Sequence, residues 1–344
     1  MAGVLAARFY EQKKPLRLEQ VELPAISEDD VLIDIKASGI CHSDVHLVNG
    51  LFPPARVPIT PGHEISGVVM EKGKNVTELE IGDRIGVDYV FNCGTCYYCR
   101  NGMDNLCDNC KYLLLNLDGG WAEKIAVPKR QVHKLPSNLG FPEGAIMNCA
   151  VMTAYHAMKL ARVSVAERVG VYGIGGIGMQ IVRLAKVFGA SEIVAVGRNE
   201  EKLKLAREFG ATTTVNTSEG DPVKMVRDAT GGGVDAAFEA IGTVDTVKRT
   251  IGFVRKGGRA VIIGLIFDNV PISPGVDLMA PEIKLLGSSD HVKSETPEVV
   301  SLIENGRLDL SRSVSHKFPL TQVNEGIRIV DEEIGNPIRV VLEP

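Results

Sequence analysis

A glycine-rich turn between an apolar run and an amphipathic run constrains the fold of this 344-residue chain more than any other feature. The segment VGVYGIGGIGMQIVRLAKVFGA is typical of a strand, a tight turn and a helix, and EIVAVG follows as a second strand. Helix and strand patterns then alternate through EEKLKLAREFGA, TTVN, MVRDATG, VDAAFEAI and RAVIIGL. This rhythm predicts an α/β domain with a doubly wound parallel sheet, the Rossmann fold, over residues 151–290.

The N-terminal part of the chain has a different pattern. Short β-branched runs, VLIDIKASGI, EISGVVM and DRIGVDYVF, are separated by Pro, Gly and Asp, which is typical of strands. An irregular cysteine-rich stretch covers residues 92–120, and AEKIAVP returns to a strand pattern. The chain ends in IRVVLEP, a further predicted strand. We predict a discontinuous β-rich domain from residues 1–150 and 291–344, with the α/β domain between them.

Composition argues against several classes of protein. The formal net charge is −5, which argues against a nucleic-acid-binding protein. No apolar run reaches about 18 residues, so no membrane span is predicted. The N-terminus has no signal-peptide pattern, which predicts a cytoplasmic protein. Seven cysteines do not suit a disulfide framework in that compartment, and their clustering indicates metal binding.

Four cysteines lie at metal-ligand spacing in CGTCYYCRNGMDNLC. Cys93, Cys96, Cys99 and Cys107 form a C-x2-C-x2-C-x7-C pattern. Four thiolates satisfy the tetrahedral preference of zinc and leave no position for water, so we predict a structural zinc site. Cys110 is a rival ligand, although a spare thiol beside the site is the simpler interpretation.

Three further candidate ligands are far apart in sequence. Cys41 and His63 lie in GICHSDVH and GHEISG, and Cys149 lies in MNCAVMTAYHAM. GHEISG is not the HExxH protease motif, because Gly67 occupies the place of the second histidine. Each of these residues alone is compatible with an ordinary packed side chain, and spacing cannot join them.

The motifs occur together in a characteristic order. GICHSD, GHEISGVVMEKGKNV, the four-cysteine stretch and the glycine turn follow one another along essentially the whole chain. In this respect the sequence resembles the zinc-containing alcohol dehydrogenases of the medium-chain dehydrogenase/reductase superfamily. The resemblance implies a GroES-like β-barrel for the discontinuous domain and an active cleft between the two domains. It implies reversible oxidation of a small primary or secondary alcohol to an aldehyde or ketone with a nicotinamide cofactor.

The resemblance assigns the three scattered ligands to a catalytic zinc. Cys41, His63 and Cys149 would supply two thiolates and one imidazole, the ligand set of the catalytic zinc in alcohol dehydrogenases, with the fourth position open to substrate oxygen. Glu64 would lie behind the metal, and Asp44 would orient the imidazole of His63. With the cysteine cluster, two zinc ions per chain are expected.

The resemblance also implies a route for the proton released from the alcohol. The proton would pass from the hydroxyl of Ser43 to the cofactor ribose and then to His46, whose unperturbed pKa suits exchange with solvent. His42 would lie near the cofactor phosphates.

The glycine turn is interpreted as a dinucleotide site because a strand precedes it and a helix follows it. Gly173, Gly175 and Gly178 give a tight turn, close approach of the pyrophosphate and close packing of the helix on the strand. Gly176 and Ile177 complete the turn, and the phosphates would face the helix N-terminus.

The end of the next strand predicts which nicotinamide is used. Enzymes that use NAD usually have an acidic residue about 20 residues beyond the turn to bind the ribose hydroxyls. Here Gly197 occupies that place and Arg198 follows, with Asn199 and Lys202 close behind. An arginine can pair with a 2′-phosphate, so NADP is favoured. Two glutamates follow directly, which leaves NAD as the alternative.

Other cofactor contacts rest on the resemblance alone. Arg339 would reach the pyrophosphate. The residues that would line the nicotinamide are small or apolar: Thr153, Ile241, Gly242, Ile263, Gly264 and Leu265. The apolar members are equally compatible with core packing.

Two rival functions are retained. A polyol or L-threonine dehydrogenase of the same superfamily is the nearer one, although Cys149 in place of the glutamate common in polyol enzymes favours simple alcohols. A non-catalytic, zinc-stabilised binding protein is the other, but every expected ligand and glycine is present. Candidates for the substrate wall are Tyr89, Trp121 and Leu265. The resemblance implies a homotetramer, with a homodimer as second choice.

Overall fold

The computed structural model describes residues 3–344, which form two compact units. One unit comprises the N-terminal part of the chain up to Cys149 together with Val292–Pro344, and the other is Ala150–His291. The domain boundaries expected from the sequence, after residues 150 and 290, each differ by one residue from these boundaries. Among the described residues, no helix has the length and apolar character needed to cross a membrane.

The N-terminal segment is mainly β-structure. Its strands are β1 (Gly3–Arg8), β2 (Arg17–Glu22), β3 (Asp30–Ile40), β4 (Glu64–Lys72), β5 (Arg84–Val87), β6 (Val90–Phe91), β7 (Lys111–Tyr112), β8 (Lys124–Pro128) and β9 (Val132–Lys134). Its α-helices are short: α1 (His42–Asn49), α2 (Tyr97–Arg100) and α3 (Phe141–Ile146). A π-helical turn, Met147–Val151, continues directly from α3.

The middle segment alternates strands and helices. Its helices are α4 (Met152–Leu160), α5 (Gly176–Val187), α6 (Glu200–Phe209), α7 (Pro222–Ala229) and α8 (Val244–Phe253). Its strands are β10 (Arg168–Tyr172), β11 (Glu192–Gly197), β12 (Thr213–Asn216), β13 (Val234–Glu239), β14 (Val254–Ile262) and β15 (Lys284–Gly287). The last part of the chain adds α9 (Thr296–Glu304), β16 (His316–Pro319), α10 (Val323–Asp331) and β17 (Val340–Glu343).

The middle segment has the predicted doubly wound parallel sheet. Its strand order is β12-β11-β10-β13-β14-β15, and all five neighbouring pairs are parallel. The order reverses between β10 and β13, the topological switch point where ligands bind at the carboxyl edge of such sheets. Tyr172 and Glu239 are paired at that edge.

The other unit is built around β3. This strand pairs with β17, β4 and β8 in a seven-stranded sheet, and each of these pairings is antiparallel. Its apolar side chains, including Val31, Ile33 and Ile35, are buried in one core cluster with Ile65 and Ile85. Because β3 is central, the residues at its end are held by neighbours on both sides.

Helix α1 was not predicted from the sequence. It has only eight residues, of which Val45, Leu47 and Val48 are its buried apolar side chains. A segment of two turns is too short for a clear 3.6-residue periodicity, and such helices depend on tertiary packing.

A buried carboxylate joins three strands near the amino edge of the parallel sheet. Asp235 of β13 accepts a hydrogen bond from the backbone N–H of Arg168 at 2.7 Å and from Nε of Arg255 at 2.5 Å. Although burial alone would raise it, these donors lower the pKa of Asp235. The ionised carboxylate is therefore the form that the folded unit stabilises.

Asp235→Asn should lower the free energy of unfolding at pH 7 by roughly 1–3 kcal/mol, because charge-assisted hydrogen bonds to a buried group are lost. The contribution is present above the unfolded pKa of about 3.9 and is lost as the pH falls through the lower folded pKa. Denaturant titrations of both proteins at several pH values measure this. Asp228→Asn is the control, since its pair with Lys224 is exposed on α7 and should contribute less than about 0.5 kcal/mol. Equal losses in the two variants would contradict the assignment.

Candidate active site and cofactor site

Four buried ligand groups converge in the β-rich unit. Potential metal-binding atoms of Cys41, His63, Glu64 and Cys149 all lie within 4.8 Å of one another. The fold explains the meeting of the first two residues. Cys41 directly follows β3, His63 directly precedes β4, and Gly39 of β3 is paired with Glu64 of β4. The antiparallel pairing thus brings distant parts of the sequence together.

Asn148 brings the fourth group, Cys149, to the same place. Its side-chain Nδ2 donates to the carbonyl of Ile65 at 2.7 Å and to the carbonyl of Gly144 at 2.9 Å. The first bond ties the π-helical turn to β4, and the second holds the turn to the preceding helix. Sequence reasoning missed Asn148, because its partner on β4 is 83 residues away and no local pattern identifies it.

Asp44 is the positioning carboxylate of this site. It is fully buried, and its oxygens accept from the backbone N–H of Cys41 at 2.9 Å and of Gly62 at 3.1 Å. Its Oδ1 also lies 3.3 Å from Nδ1 of His63. Although burial opposes protonation, the Asp44 carboxylate raises the pKa of His63 well above its usual value. The contact fixes the ring at Nδ1 and leaves Nε2 for a ligand.

Glu64 and Arg339 form a buried ion pair at 3.2 Å. Among the described residues, neither carboxylate oxygen of Glu64 has a hydrogen-bond partner. Burial raises the pKa of Glu64 to about 7, with Arg339 opposing the shift. Arg339 is only 4% exposed, so the structure places the residue expected at the pyrophosphate against Glu64. The pyrophosphate contact stays a prediction.

The two thiols complete a donor set that fits zinc. The Cys149 thiol donates to Cys41 and lowers the pKa of Cys41 well below its usual value, while the same bond raises that of Cys149. Buried thiolates and carboxylates are costly without a compensating charge. Two sulfurs, one imidazole nitrogen and buried carboxylate oxygens without hydrogen bonds suit a divalent cation of intermediate softness. Cys41, His63 and Cys149 therefore fit three ligands of a tetrahedral zinc site, and the fourth position would be taken by Glu64 or by a further ligand.

The second group consists of the four clustered cysteines. Ligand atoms of Cys93, Cys96, Cys99 and Cys107 lie within 4.8 Å of one another. Backbone N–H groups point at the sulfurs, including that of Cys96 to Cys93 at 3.3 Å and that of Cys93 to Cys107 at 3.2 Å. Hydrogen bonds to its sulfur, the strongest from the Thr95 hydroxyl, lower the pKa of Cys93 to about 5. Burial raises the pKa of Cys99 to about 12. The arrangement fits a closed tetrahedral zinc site.

Cys110 lies outside this group. Its thiol donates to the Tyr112 hydroxyl at 3.4 Å, which agrees with a spare thiol beside the four ligands.

The relay residues lie on α1. Ser43 and His46 are half-buried and His42 is exposed, and the rings of the two histidines are 6.3 Å apart. Burial, followed by the neighbouring His42, lowers the pKa of His46. The proton route through Ser43 and His46 stays a prediction.

The candidate substrate-wall residues lie in different environments. The ring of Tyr89 packs edge-on against His63 with centroids 4.9 Å apart. Trp121 is fully buried, and its Nε1 donates to the carbonyl of Gly39 at 3.1 Å. An indole can be buried in this way because its one polar group is satisfied. Trp121 is therefore a core residue of the β-rich unit, and its placement in a substrate wall was wrong.

The glycine turn in the α/β unit has the geometry of a dinucleotide site. Gly173 has a φ of +100°, and a Cβ on Gly178 would collide with the carbonyl oxygen of Gly173. Helix α5 begins at Gly176 with Ile177 next, so its N-terminal N–H groups lie at the turn. A Cβ on Gly175 would meet nothing within 4 Å. The chain itself thus requires glycine at 173 and 178, while position 175 leaves space for a ligand.

The end of β11 carries the residues expected to select the cofactor. A Cβ on Gly197 would make only ordinary contacts at 3.5 and 3.6 Å, so packing does not require glycine there. Arg198 is exposed. Asn199 caps α6 by accepting from the backbone N–H of Lys202 at 3.0 Å. Steric hindrance at the Cβ therefore does not explain why position 197 has no acidic side chain.

The residues expected around the nicotinamide form two adjacent loops at the carboxyl edge of β13 and β14. A Cβ on Gly242 would collide with backbone atoms of Leu265, and a Cβ on Gly264 would collide with the backbone nitrogen of Gly242. Ile263 is buried beside them. Thr153 is a buried residue of α4.

Two family models match the two parts of the chain. The alcohol dehydrogenase GroES-like domain matches residues 27–137, and the zinc-binding dehydrogenase domain matches residues 176–305. The fold prediction is thus confirmed for both domain types.

Curated relatives span nearly the whole chain. An alcohol dehydrogenase from Geobacillus stearothermophilus is 35% identical over 341 residues, 98% of this chain and 99% of the relative. An NAD-dependent alcohol dehydrogenase from Sulfurisphaera tokodaii is 34% identical and covers 94% of this chain and 95% of its own length. Other relatives are an L-threonine 3-dehydrogenase and a D-arabitol-phosphate dehydrogenase, so relatedness alone does not define the substrate.

A solved structure agrees over the full length. A protein from Sinorhizobium meliloti 1021, described as a zinc-binding dehydrogenase bound to NADP, has a TM-score of 0.93 and 31% identity, covering 100% of both chains. The chain therefore belongs to the zinc-containing alcohol dehydrogenase family of the medium-chain dehydrogenase/reductase superfamily. It is an oxidoreductase of the zinc-dependent dehydrogenase type, and its family supports zinc and a nicotinamide cofactor.

Metal analysis tests both cysteine sites. The purified chain should contain about two zinc ions, and Cys41→Ser and Cys99→Ser should each remove about one. Cys99→Ser should also lower the melting temperature, because a closed zinc site contributes directly to folding. Cys110→Ser is the matched control and should retain both ions. Retention of two ions by Cys41→Ser would contradict the assignment of the buried donor group.

Two glycine variants separate chain packing from ligand approach. Gly178→Ala should destabilise the cofactor-free protein by roughly 1–3 kcal/mol, because its methyl group meets the Gly173 carbonyl. Gly175→Ala should leave stability nearly unchanged but weaken dinucleotide binding at least about tenfold, because that side is where pyrophosphate approaches. Thermal unfolding and titration with NADPH measure the two effects. Undiminished NADPH binding by Gly175→Ala would exclude this turn as the phosphate site.

Proposed function

We propose that this protein catalyses the reversible oxidation of a small primary or secondary alcohol to an aldehyde or ketone, with NADP as the favoured cofactor. The observation that carries the proposal is the buried convergence of Cys41, His63 and Cys149 beside Glu64. This set leaves a metal one open coordination position, which a structural site would lack. Zinc bound there would supply Lewis-acid polarisation of the substrate oxygen.

The surrounding residues perform the positioning. Asp44 holds the His63 ring through Nδ1, and Asn148 holds the turn that carries Cys149. Glu64, paired with Arg339, keeps a carboxylate beside the ligands and would move towards the metal when substrate or water exchanges there. The proton from the alcohol is expected to leave through the hydroxyl of Ser43.

The remaining features of the proposal rest on individual residues and on the family. Gly197 and Arg198 support NADP over NAD, since a cation replaces the usual acid. Cys149 as third ligand supports simple alcohols over polyols. We further propose a cytoplasmic location, in keeping with seven free cysteines among the described residues. The homotetramer is proposed from the family resemblance alone.

Steady-state rates with NADP and NAD, on a panel of primary, secondary and polyhydric alcohols and L-threonine, test the proposal directly. NADP with a simple alcohol should give the highest kcat/KM. Arg198→Ala should lower kcat/KM for NADP about tenfold or more and leave that for NAD within about twofold, because a charge-assisted pair with the 2′-phosphate is lost. Gly197→Asp should shift the preference towards NAD, since a side chain fits there.

Lys204→Ala is the matched control, because it removes an exposed cation on the nearby helix α6 and should leave the NADP:NAD ratio unchanged. A native preference for NAD would refute the role of Arg198 but leave zinc-dependent oxidation intact. A preference for L-threonine or a polyol would replace the proposed substrate class. No turnover of any alcohol with either cofactor would refute the proposed function.

A further inference from the structure

Glu239 is a fully buried residue at the carboxyl end of β13 that neither the zinc site nor the glycine turn explains. Its Oε1 accepts three hydrogen bonds. The donors are the backbone N–H of Ile241 at 2.9 Å, the backbone N–H of Gly242 at 2.8 Å and the hydroxyl of Thr246 at 2.8 Å. The carboxylate therefore fixes the whole loop between β13 and α8 from its buried side.

The main chain of the same residue holds the neighbouring loop. The carbonyl oxygen of Glu239 accepts from the backbone N–H of Ile263 at 3.0 Å and of Gly264 at 3.2 Å. One residue thus connects the loop after β13 with the loop after β14, through its side chain and its carbonyl respectively.

The two loops are packed so tightly that small displacements are blocked. A Cβ on Gly264 would collide with the backbone nitrogen of Gly242 and would lie 2.6 Å from Oε2 of Glu239. On the other side, a Cβ on Gly173 of the glycine turn would lie 2.5 Å from the Ile241 side chain. The loop held by Glu239 therefore lies between the phosphate-binding turn and the loop after β14.

The outer side of the same loops presents apolar surface. Ile241 is 45% exposed and Leu265 is 49% exposed, each one position from a glycine that permits the close packing. Exposed apolar side chains on a rigid, hydrogen-bonded backbone suit contact with the face of a flat ring. These two side chains and their loops are named the ring platform.

We propose that Glu239 is the positioning residue of the ring platform, so that it sets the affinity for the nicotinamide end of the cofactor without contacting it. This inference rests on the proposed function for the presence of a nicotinamide cofactor. A carboxylate suits the task, because hydrogen bonds to an ionised acceptor are about twice as strong as those to a neutral one. Its Oε2 has no hydrogen-bond partner among the described residues, so the side chain holds the loop through Oε1 alone.

The test compares a whole dinucleotide with its fragment that lacks nicotinamide. Dissociation constants are measured by calorimetry for NADPH and for 2′-phospho-ADP-ribose, or for NADH and ADP-ribose if the chain prefers NADH. Glu239→Ala should weaken binding of the dinucleotide about tenfold or more and binding of the fragment less than about twofold. Glu239→Gln keeps one acceptor oxygen and should give an intermediate loss. Asp245→Asn, an exposed acid of α8 paired with Arg249, should change neither constant.

Each outcome decides the inference. Equal weakening of dinucleotide and fragment would show a general loss of structure and overturn it, as would unchanged dinucleotide binding in a folded Glu239→Ala protein. If Glu239→Ala does not fold, the same comparison is made with Glu239→Gln, for which a selective loss of dinucleotide affinity supports the inference and equal losses overturn it. If the unmodified chain binds neither NADPH nor NADH, the proposed function itself is refuted, and this inference falls with it.

Discussion

The most demanding constraint on the β-rich unit is the burial of four potential metal-binding groups within 4.8 Å of one another. Two thiols, an imidazole and a carboxylate are unfavourable in an apolar interior unless opposite charge compensates them. Arg339 supplies one charge and Asp44 satisfies the imidazole, and a divalent cation would supply the remainder. The central strand β3 and the π-helical turn before α4 bring Cys41 and Cys149 to this place.

The sequence predicted those parts of the structure in which the determining contacts are local. The four clustered cysteines lie within 15 residues, and the glycine turn is flanked directly by its strand and helix. Spacing and periodicity were therefore sufficient to predict both features. The alternation of β10 to β14 with α5, α6 and α7 was predicted for the same reason, whereas α8 and β15 were not predicted. Cys41, His63 and Cys149 could not be joined by spacing, because they are brought together by tertiary contacts: the pairing of β3 with β4, and the bond from Asn148 to β4. Only the family resemblance connected them.

Two residues were misassigned or missed in the sequence analysis, Trp121 and Asn148. Each has a hydrogen-bond partner that is a distant backbone atom. Trp121 reads as a candidate for a ligand pocket, but the carbonyl of Gly39, 82 residues away, satisfies its indole N–H and permits complete burial. Asn148 reads as an ordinary polar residue beside a cysteine, yet it bonds to a carbonyl on β4. Backbone acceptors have no side-chain signature, so a single sequence gives no pattern from which such contacts can be inferred.

Two buried carboxyl groups, one in each unit, hold a loop in the same way, by accepting hydrogen bonds from its backbone N–H groups. Asp44 accepts the backbone N–H groups of Cys41 and Gly62, and Glu239 accepts those of Ile241 and Gly242. In each case one buried carboxyl group accepts hydrogen bonds from backbone donors that a loop would otherwise leave unsatisfied. These loops are held from their buried side through backbone N–H groups. The side chains on the exposed side are therefore not needed to hold the loop backbone in place. An exposed side chain on such a loop, for example that of Ile241, can therefore change without loss of the hydrogen bonds that hold the backbone.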